Sequence, residues 1–303
     1  MTKKCYGAIE LGGTKFTTLI AKDTKTILKK KVFPTLNPVD SLRDIVNFFK
    51  DEIPDCDTRL EAIGIGSFGP LDLNSESNTY GFITSTPKLG WEFFDIKGEI
   101  EKALGVKVFL ETDVNAAAVG EFYLYPVNRM RNLVYITIGT GIGAGIISNG
   151  KLIHGLVHPE FGHISVPHDL RKDPFTGVCP YHRDCFEGLA SGPAMTARWN
   201  KSPEELPVDH IGWELEAEYI SFALANLIYT VSPEIIILGG GVMNRQHLFP
   251  LIHKKTRSVM NRYIKSRALD ENISEYIVPP RLKNDSGILG ALSMAVHETE
   301  SRA

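Results

Sequence analysis

The chain has 303 residues, of which 43% are hydrophobic and 23% are charged, and its formal net charge at pH 7 is -3. This length accommodates two lobes with their own cores, and the composition excludes a disordered chain. The small net charge gives no general attraction for nucleic acid or anionic lipid, so we expect neither as a partner and any phosphate site must be local.

The N-terminal residues lead directly into an apolar run from Cys5 to Ile9. They have neither the apolar length of a signal peptide nor the arginines of a transit peptide, which predicts a cytoplasmic protein. The most apolar segment, Ile220 to Val231, is shorter than the roughly 20 residues that a membrane span needs, and it is interpreted as a buried helix.

Strand-like apolar runs alternate with helical patterns along the chain, which indicates an α/β architecture. The predicted strands are Tyr6–Leu11, Phe16–Ala21, Leu60–Ser67, Val106–Leu110, Leu133–Ile138, Gly143–Ser148 and Glu234–Leu238. The predicted helices are Val39–Phe49, Ile96–Leu104, Val114–Tyr123 and Leu215–Tyr229.

One strand–turn–strand pattern occurs twice, over residues 6–17 and again over residues 133–147. A duplicated hairpin at the head of each half predicts two related lobes that face a cleft. We predict a smaller N-terminal lobe over residues 1–115, completed by a C-terminal helix over 286–303. The larger lobe is predicted to span residues 116–285.

Glycine-rich turns follow three of the predicted strands: Gly12-Gly13-Thr14, Gly139-Thr140-Gly141 and Gly239-Gly240-Gly241, the last ahead of a helix predicted from Asn244. Glycine lets backbone N–H groups approach a ligand closely, and a threonine hydroxyl adds a donor. Ordinary hairpins also use such glycines for positive φ angles. The spacing of a Walker loop is absent. Three such turns favour a bound nucleotide, because ligands of α/β sheets lie beyond the carboxyl ends of strands.

Asp113 stands between the strand that ends near Glu111 and an alanine-rich helix. One interpretation makes it the N-cap of that helix, a role worth about 1 kcal/mol. The other makes it a general base that accepts the proton of a sugar hydroxyl during phosphoryl transfer.

A possible metal site has the spacing His163-x15-Cys179-x2-His182-x2-Cys185. Two thiolates and two imidazoles suit tetrahedral Zn²⁺, although unrelated surface residues are the alternative. The other two of the four cysteines, Cys5 and Cys56, are isolated. A disulfide framework is not expected in a cytoplasmic chain of this size.

Four protein ligands make a closed site, so the zinc is predicted to be structural and not to activate the nucleophile. The segment Asp169–Thr176 is polar and interrupted by Pro174, and it looks unable to support itself. Structural zinc can contribute on the order of 10 kcal/mol to ordering such a segment. The metal would therefore hold the loop that carries Glu160 and Glu187.

The motifs together resemble the ROK family of sugar kinases and repressors, which belongs to the sugar kinase, Hsp70 and actin superfamily. The resemblance spans essentially the whole chain. The residues that carry it are Glu10–Lys15, Asp113–Ala118, Gly139–Gly143, Glu160–His163, the Cys/His loop and Glu187.

This resemblance implies a ribonuclease-H-like fold in two lobes, with MgATP in the cleft and Asp113 as the base. The residues that it implies for the nucleotide are Gly12, Gly13, Thr14, Lys15, Gly139, Thr140, Gly141, Pro193, Gly239, Gly240 and Gly241. Those that it implies for the sugar are Gly69, Pro70, Thr86, Thr112, Asp113, Glu160, His163 and Glu187. Two glutamates suit a polyol because carboxylates accept several hydroxyl hydrogen bonds, although a solvated loop charge is the alternative for each.

Within the family, segments 67–72 and 84–91 are most similar to the fructokinase branch. Three departures point from glucose towards fructose. Glu10 replaces the aspartate that is commonest before Gly-Gly-Thr-Lys, which leaves a magnesium-related role there open. Thr112 and Lys88 stand where glucokinases usually carry asparagine, and the zinc loop has Cys-x2-His-x2-Cys in place of three cysteines.

The expected activity is transfer of the γ-phosphate of ATP to the 6-hydroxyl of fructose. Mannose, glucose or an N-acetyl amino sugar are alternative substrates, the last requiring a larger pocket near Thr86 and Lys88. A sugar-sensing repressor is the alternative from another class, but only about four residues precede the first strand, where family repressors carry a DNA-binding domain. The resemblance also implies a homodimer.

Overall fold

The computed structural model describes residues 3–53, 58–86, 88–123, 125 and 130–300. They form two compact units. The first comprises Met1–Val127, Leu152–His158 and Asn284–Ala303, and the second comprises Asn128–Lys151 and Pro159–Lys283. The helix Asp113–Phe122 lies whole in the first unit, whereas a division after residue 115 cuts it. The predicted domain bounds themselves stay a prediction.

The strands, in chain order, are β1 (Lys3–Leu11), β2 (Lys15–Ala21), β3 (Ile27–Pro34), β4 (Thr58–Ser67), β5 (Phe82–Ile83), β6 (Phe94–Asp95), β7 (Lys107–Thr112), β8 (Leu133–Ile138), β9 (Ile142–Ser148), β10 (Lys151–Leu152), β11 (Ile235–Gly239) and β12 (Ile277–Val278). The helices are α1 (Pro38–Glu52), α2 (Ile96–Leu104), α3 (Asp113–Phe122), α4 (Phe186–Ala190), α5 (Gly192–Trp199), α6 (Gly212–Thr230), α7 (Leu248–Met260), α8 (Arg267–Asp270), α9 (Ile273–Tyr276) and α10 (Ser286–Glu300).

Both large sheets have the same topology. Their strand orders are β3-β2-β1-β4-β7 and β10-β9-β8-β11-β12. In the first sheet β1 pairs antiparallel with β2 and parallel with β4. In the second, β8 pairs antiparallel with β9 and parallel with β11. This repetition confirms the predicted duplication and the predicted α/β fold.

The sequence predicted neither the short strands β5, β6, β10 and β12 nor the helices α4, α5, α8 and α9, and the prediction differs from the structure at β3 and α7 as well. Strand β3 was not predicted, because most of its residues are exposed and three successive lysines, Lys29 to Lys31, give it no apolar alternation. Such lysines are common on edge strands, where charge discourages pairing with another chain. The helix predicted from Asn244 begins only at Leu248, and a short 3-10 turn over Val242–Asn244 precedes it.

Apolar side chains cover both faces of the first sheet. Phe49 and Ile63 belong to the core on the face that α1 and α2 cover, whereas Ala62 and Leu292 belong to the core formed with α3 and α10. In the second unit α6 is largely buried, as predicted for its apolar segment. Among the described residues, the helices are either too short or too polar to cross a membrane.

The C-terminal helix approaches the first sheet through glycines. A Cβ atom at Gly290 would lie 1.7 Å from the carbonyl oxygen of Ala116 in α3. A Cβ atom at Gly64 in β4 would lie 1.8 Å from the carbonyl oxygen of Ala291. Backbone meets backbone at both places, so a larger residue at Gly290 forces α10 away from α3, and one at Gly64 forces it away from the sheet.

We therefore expect Gly290→Ala to lower the free energy of unfolding by about 1–3 kcal/mol, as overpacking of a tight contact does. Urea unfolding followed by circular dichroism measures the change. Gly155→Ala is the matched control, because a Cβ atom there has no neighbour within 4 Å. Equal stability of the two variants would show that α10 and α3 move apart at Gly290 without a measurable loss of stability.

Candidate active site

The first glycine turn connects β1 to β2. The Gly12 N–H donates to the carbonyl oxygen of Lys15 at 3.1 Å, and the Thr35 hydroxyl donates to the carbonyl oxygen of Gly12 at 2.8 Å. A Cβ atom at Gly13 would meet nothing within 4 Å. The Lys88 ammonium donates to the Gly13 carbonyl oxygen. These hydrogen bonds fix the shape of the turn, and the space beside Gly13 is open. The Lys88 ammonium places a positive charge at the turn.

The two glycine turns of the second unit lie side by side. Gly139–Gly141 follows β8 and Gly239–Gly241 ends β11, and these strands are parallel neighbours. A Cβ atom at Gly139 would lie 3.5 Å from the backbone nitrogen of Gly241. Gly240 has a φ of +92°, and a Cβ atom there would clash with the Ile138 backbone. The Gly239–Gly241 turn therefore depends on glycine, and the two turns lie together at the carboxyl ends of β8 and β11.

Pro193 lies next to the same two turns, at the carboxyl ends of β8 and β11. It is the second residue of α5, and the preceding Gly192 donates its N–H to the carbonyl oxygen of Gly139 at 2.7 Å. The structure thus brings together the residues of the second unit that the sequence analysis assigned to nucleotide binding. Their role in binding stays a prediction.

Asp113 is the first residue of α3 and not its N-cap. The cap is Thr112, whose hydroxyl oxygen accepts from the Asn115 N–H at 3.1 Å. The interpretation of Asp113 as the cap is therefore wrong, because the preceding side chain already satisfies this helical N–H. Asp113 accepts from the Val114 N–H at 2.8 Å. Burial raises the pKa of its carboxyl to about 6, close to the range in which a general base works.

A second carboxyl, that of Glu10, lies near Asp113. Burial and the negative charges of Asp113 and Asp285 raise the pKa of Glu10 to about 7, although Lys30 and Lys15 oppose the shift. A Cβ atom at Gly287 would lie 2.3 Å from Glu10 Oε1, so the carboxyl rests against the first turn of α10. The sequence could not show this pairing, because it depends on packing between the start and the end of the chain.

The loop predicted to contact sugar is supported by a histidine that the sequence analysis did not single out. Gly69 and Pro70 are joined by a cis peptide bond. The next residue, Leu71, donates its N–H to Nε2 of the buried His158 at 3.2 Å. The Thr86 hydroxyl oxygen accepts from the Lys88 N–H at 3.4 Å. An isolated histidine in an unpatterned segment carries no local signal of such a contact.

Another histidine of the same segment contacts the strand before Asp113. His154 Nε2 lies 2.8 Å from Glu111 Oε1, and this hydrogen bond raises the pKa of His154. The other carboxylate oxygen of Glu111 accepts from the Asn115 amide at 2.8 Å. These contacts support the junction at which β7 ends and α3 begins with Asp113.

The four predicted metal ligands converge in the second unit. The ligand atoms of His163, Cys179, His182 and Cys185 all lie within 4.8 Å of one another. The Cys179 sulfur lies 3.8 Å from His163 Nδ1 and 3.7 Å from His182 Nδ1. Tetrahedral zinc with ordinary bond lengths places sulfur and nitrogen ligands about 3.6 Å apart. The donor set and its spacing therefore fit Zn²⁺. Cys5 is buried in the core of the first unit, and Cys56 lies outside the described residues.

Glu187 connects the zinc loop to a glycine turn. It is the second residue of α4, and its Oε2 accepts from the Ile142 N–H at 2.8 Å. A Cβ atom at Gly141 would lie 2.9 Å from the same oxygen, so glycine is needed for this approach. Glu160 directly precedes the 3-10 turn Phe161–His163. Both predicted sugar-binding glutamates are thus close in sequence to predicted metal ligands.

Two sheets of equal strand order, each with a glycine turn after its first strand, define the ribonuclease-H-like class that includes actin, Hsp70 and the sugar kinases. The sequence model of the ROK family matches residues 6–298. The chain therefore belongs to the ROK family.

Curated relatives include fructokinases. The fructokinase of Lactococcus lactis subsp. cremoris is 43% identical over 291 residues, which are 96% of this chain and 96% of the relative. The fructokinase of Pediococcus pentosaceus is 41% identical over 289 residues, which are 95% of this chain and 96% of the relative.

Solved structures of the family match over nearly the whole chain. The ROK hexokinase from Thermus thermophilus is 27% identical with a TM-score of 0.79, covering 98% of this chain and 99% of the other. A ROK glucokinase from Streptomyces griseus in complex with glucose and AMPPNP is 25% identical with a TM-score of 0.72, covering 96% and 99%.

Proposed function

We propose that the protein is an ATP-dependent fructokinase that phosphorylates the 6-hydroxyl of D-fructose. The observation that carries this proposal is identity above 40% to fructokinases over nearly the full length of both chains. The structure of the glucokinase relative with glucose and AMPPNP supports a sugar and a nucleotide as the two substrates.

In the proposed reaction Asp113 accepts the proton of the 6-hydroxyl. The sugar oxygen then bonds to the γ-phosphorus, while the bond from that phosphorus to the bridging oxygen of ADP breaks. Backbone N–H groups of the turns at Gly12–Thr14 and Gly139–Gly141 are proposed to hold phosphate oxygens, since this chemistry depends mainly on positioning and charge stabilisation. Mg²⁺ bound with ATP would offset the negative charge of the phosphates.

The sugar is proposed to bind to Glu160 and Glu187, whose carboxylates can each accept several hydroxyl hydrogen bonds. Gly69, Pro70, Thr86, Thr112 and His163 are the further proposed sugar contacts. Zn²⁺ would be held by His163, Cys179, His182 and Cys185. Because these four ligands close the coordination shell, zinc would crosslink the loop and leave the proton transfer to Asp113.

A panel of sugars tests the proposal. ADP release is measured with fructose, mannose, glucose, N-acetylmannosamine and N-acetylglucosamine, each with ATP and Mg²⁺. We expect kcat/KM for fructose to exceed that for every other sugar by about tenfold or more, the scale on which contacts to hydroxyl groups discriminate. A higher kcat/KM for an N-acetyl sugar would show that the protein is an amino-sugar kinase instead. Turnover of none of them would favour a sensor without enzymatic activity.

Three further expectations about the protein remain predictions. They are the homodimer, the cytoplasmic location, and the lack of nucleic acid or membrane partners. They derive from family resemblance, the N-terminal sequence and the net charge. None of them is required for the proposed reaction.

A further inference from the structure

A buried ion pair joins the polar segment Asp169–Thr176 to Arg198 in helix α5. Asp173, in the middle of Asp169–Thr176, is only 3% exposed. Its Oδ1 accepts from Arg198 Nε at 3.2 Å, and its Oδ2 lies 3.2 Å from Arg198 Nη2. The Tyr219 hydroxyl donates to the same Oδ2 at 2.6 Å. Buried charges are costly unless they are paired and hydrogen-bonded in this way.

The Arg198 guanidinium is fixed from several sides. It packs over the rings of Phe175, at 4.4 Å, and Tyr219, at 5.7 Å. Its Nη2 also donates to the carbonyl oxygen of Leu189 at 2.8 Å. Arg198 therefore joins the loop residue Asp173 to helix α4, using a planar fork of donors that lysine does not have.

These contacts fasten the far end of the short helix that carries Glu187. Cys185, one of the proposed zinc ligands, is the N-cap of α4, and Leu189 lies near its C-terminal end. Glu187 stands midway between them. Helix α4 is thus connected at its N-terminal end to the loop with the proposed zinc ligands, and near its C-terminal end to the Asp173–Arg198 pair.

His168 adds a further link to this loop. Its Nε2 lies 3.0 Å from the carbonyl oxygen of Asp173, and its Nδ1 lies 3.2 Å from Asp184 Oδ2. Both partners are acceptors, and the imidazole ring is almost fully buried. His168 therefore connects the middle of the loop to the residue that precedes Cys185.

We propose that Asp173 and Arg198 are positioning residues for sugar binding, forming a clamp on Glu187 that does not depend on the metal. This inference rests on the proposed function, in which Glu187 binds the sugar. Since Glu187 would contact the sugar in both the ground state and the transition state, a loose clamp raises the fructose KM and leaves kcat and the ATP KM largely unchanged.

The kinetic test compares Asp173→Asn and Arg198→Met with the matched control Asp169→Asn. Asp169 lies on the same loop, but its partner is the exposed Arg171. We expect each clamp variant to raise the fructose KM about tenfold, the usual scale for residues that orient a ligand group, with kcat within about twofold. The double variant should be no worse than the worse single variant, because the two residues act as one unit. Arg198→Lys should restore part of the affinity.

Tyr219→Phe removes one hydrogen bond to Asp173 and keeps the shape of the core, so it remains informative if the charge variants do not fold. We expect a rise in the fructose KM of about threefold, as for loss of one hydrogen bond. A clamp variant that behaves like Asp169→Asn, or that lowers kcat and raises both KM values equally, would overturn the proposal.

A second measurement needs no enzymatic activity. Backbone hydrogen exchange over residues 173–198 is followed in wild-type protein and in Asp173→Asn, before and after zinc is removed with a chelator. We expect chelated wild-type protein to keep its slow exchange in α4 and α5, and chelated Asp173→Asn to lose it. Equal loss of protection in both chelated proteins would show that the metal alone holds the helix. If no sugar is phosphorylated by wild-type protein, the proposed function fails while this measurement still decides the clamp.

Discussion

Asp113→Asn is expected to lower kcat by about 10³-fold, within the range that a general base contributes. Asparagine keeps the shape of the side chain but cannot accept the proton of the sugar hydroxyl. Fructose binding should survive, because the contacts proposed for Glu160 and Glu187 are untouched. Coupled ADP release gives kcat, and isothermal titration with fructose gives the Kd. A kcat within tenfold of the wild-type value would refute the assignment of Asp113 as the base.

The pH dependence of the wild-type enzyme provides an independent measurement of the same group. With the pKa of Asp113 near 6, the carboxylate is mostly protonated at pH 5. We expect kcat/KM to be about tenfold lower at pH 5 than on its plateau above pH 7. The nearby carboxyl of Glu10 has a pKa near 7. We therefore expect the fall in kcat/KM with decreasing pH to extend over a wider pH range than titration of Asp113 alone would give. A profile that is flat between pH 5 and 7 would contradict this picture.

Stability distinguishes a lost catalytic group from a damaged fold. The pKa of Asp113 rises from 3.8 to about 6 on folding, so the native protein binds this proton more tightly than the unfolded chain does. Stability from this group is therefore highest below pH 3.8 and falls as the pH rises towards 6. Asparagine removes that cost, and Asp113→Asn should be at least as stable as wild-type protein at pH 7.

Cys179→Ser is expected to reduce the zinc content from about one ion per chain to almost none. A hydroxyl is a poor zinc ligand, and structural zinc can contribute on the order of 10 kcal/mol to ordering its loop. We expect a rise in the fructose KM of at least about tenfold, the scale seen when support of a bound ligand is lost. Metal analysis of the purified protein and fructose titrations measure the two effects.

Cys5→Ala is the control for this variant, because Cys5 is a free thiol buried in the core of the first unit. It should keep its zinc and its affinity for fructose. The kcat of Cys179→Ser at saturating fructose should remain within a few-fold of wild type, since Asp113 is not a metal ligand. A variant that loses zinc but keeps the same fructose KM would show that the metal does not contribute to sugar binding.

The buried contacts of the Asp173–Arg198 pair are expected to limit how far the loop opens when metal is removed. From the sequence, we expected zinc to order the whole segment between Glu160 and Glu187. The buried contacts of Asp173 predict that disorder concentrates around His163 and residues 179–185. The C-terminal end of α4 should remain in place, because the Leu189 carbonyl oxygen accepts from Arg198.

Much of the fold was predictable because its signals are local. A glycine turn requires glycine where the backbone passes too close for a side chain, as at Gly240 beside Ile138. Cys179, His182 and Cys185 are separated by two residues each, so one loop brings them together. The apolar runs in β1 and β8 likewise indicate buried strands through residues that are neighbours in the chain. Strand β3 escaped prediction because an exposed edge strand does not need an apolar face.

The sequence by itself therefore determined the duplicated α/β plan, the glycine turns and the candidate set of metal ligands, since each depends mainly on residues that are close along the chain. Only the tertiary structure decided which distant polar groups meet and which segments they contact. Glu10 reaches the start of α10, His158 supports the loop after Gly69, and Arg198 pairs with Asp173. Such contacts join residues separated by 25 to 277 positions in the chain. Their energies depend on burial and mutual distance, which no local pattern of residue types encodes.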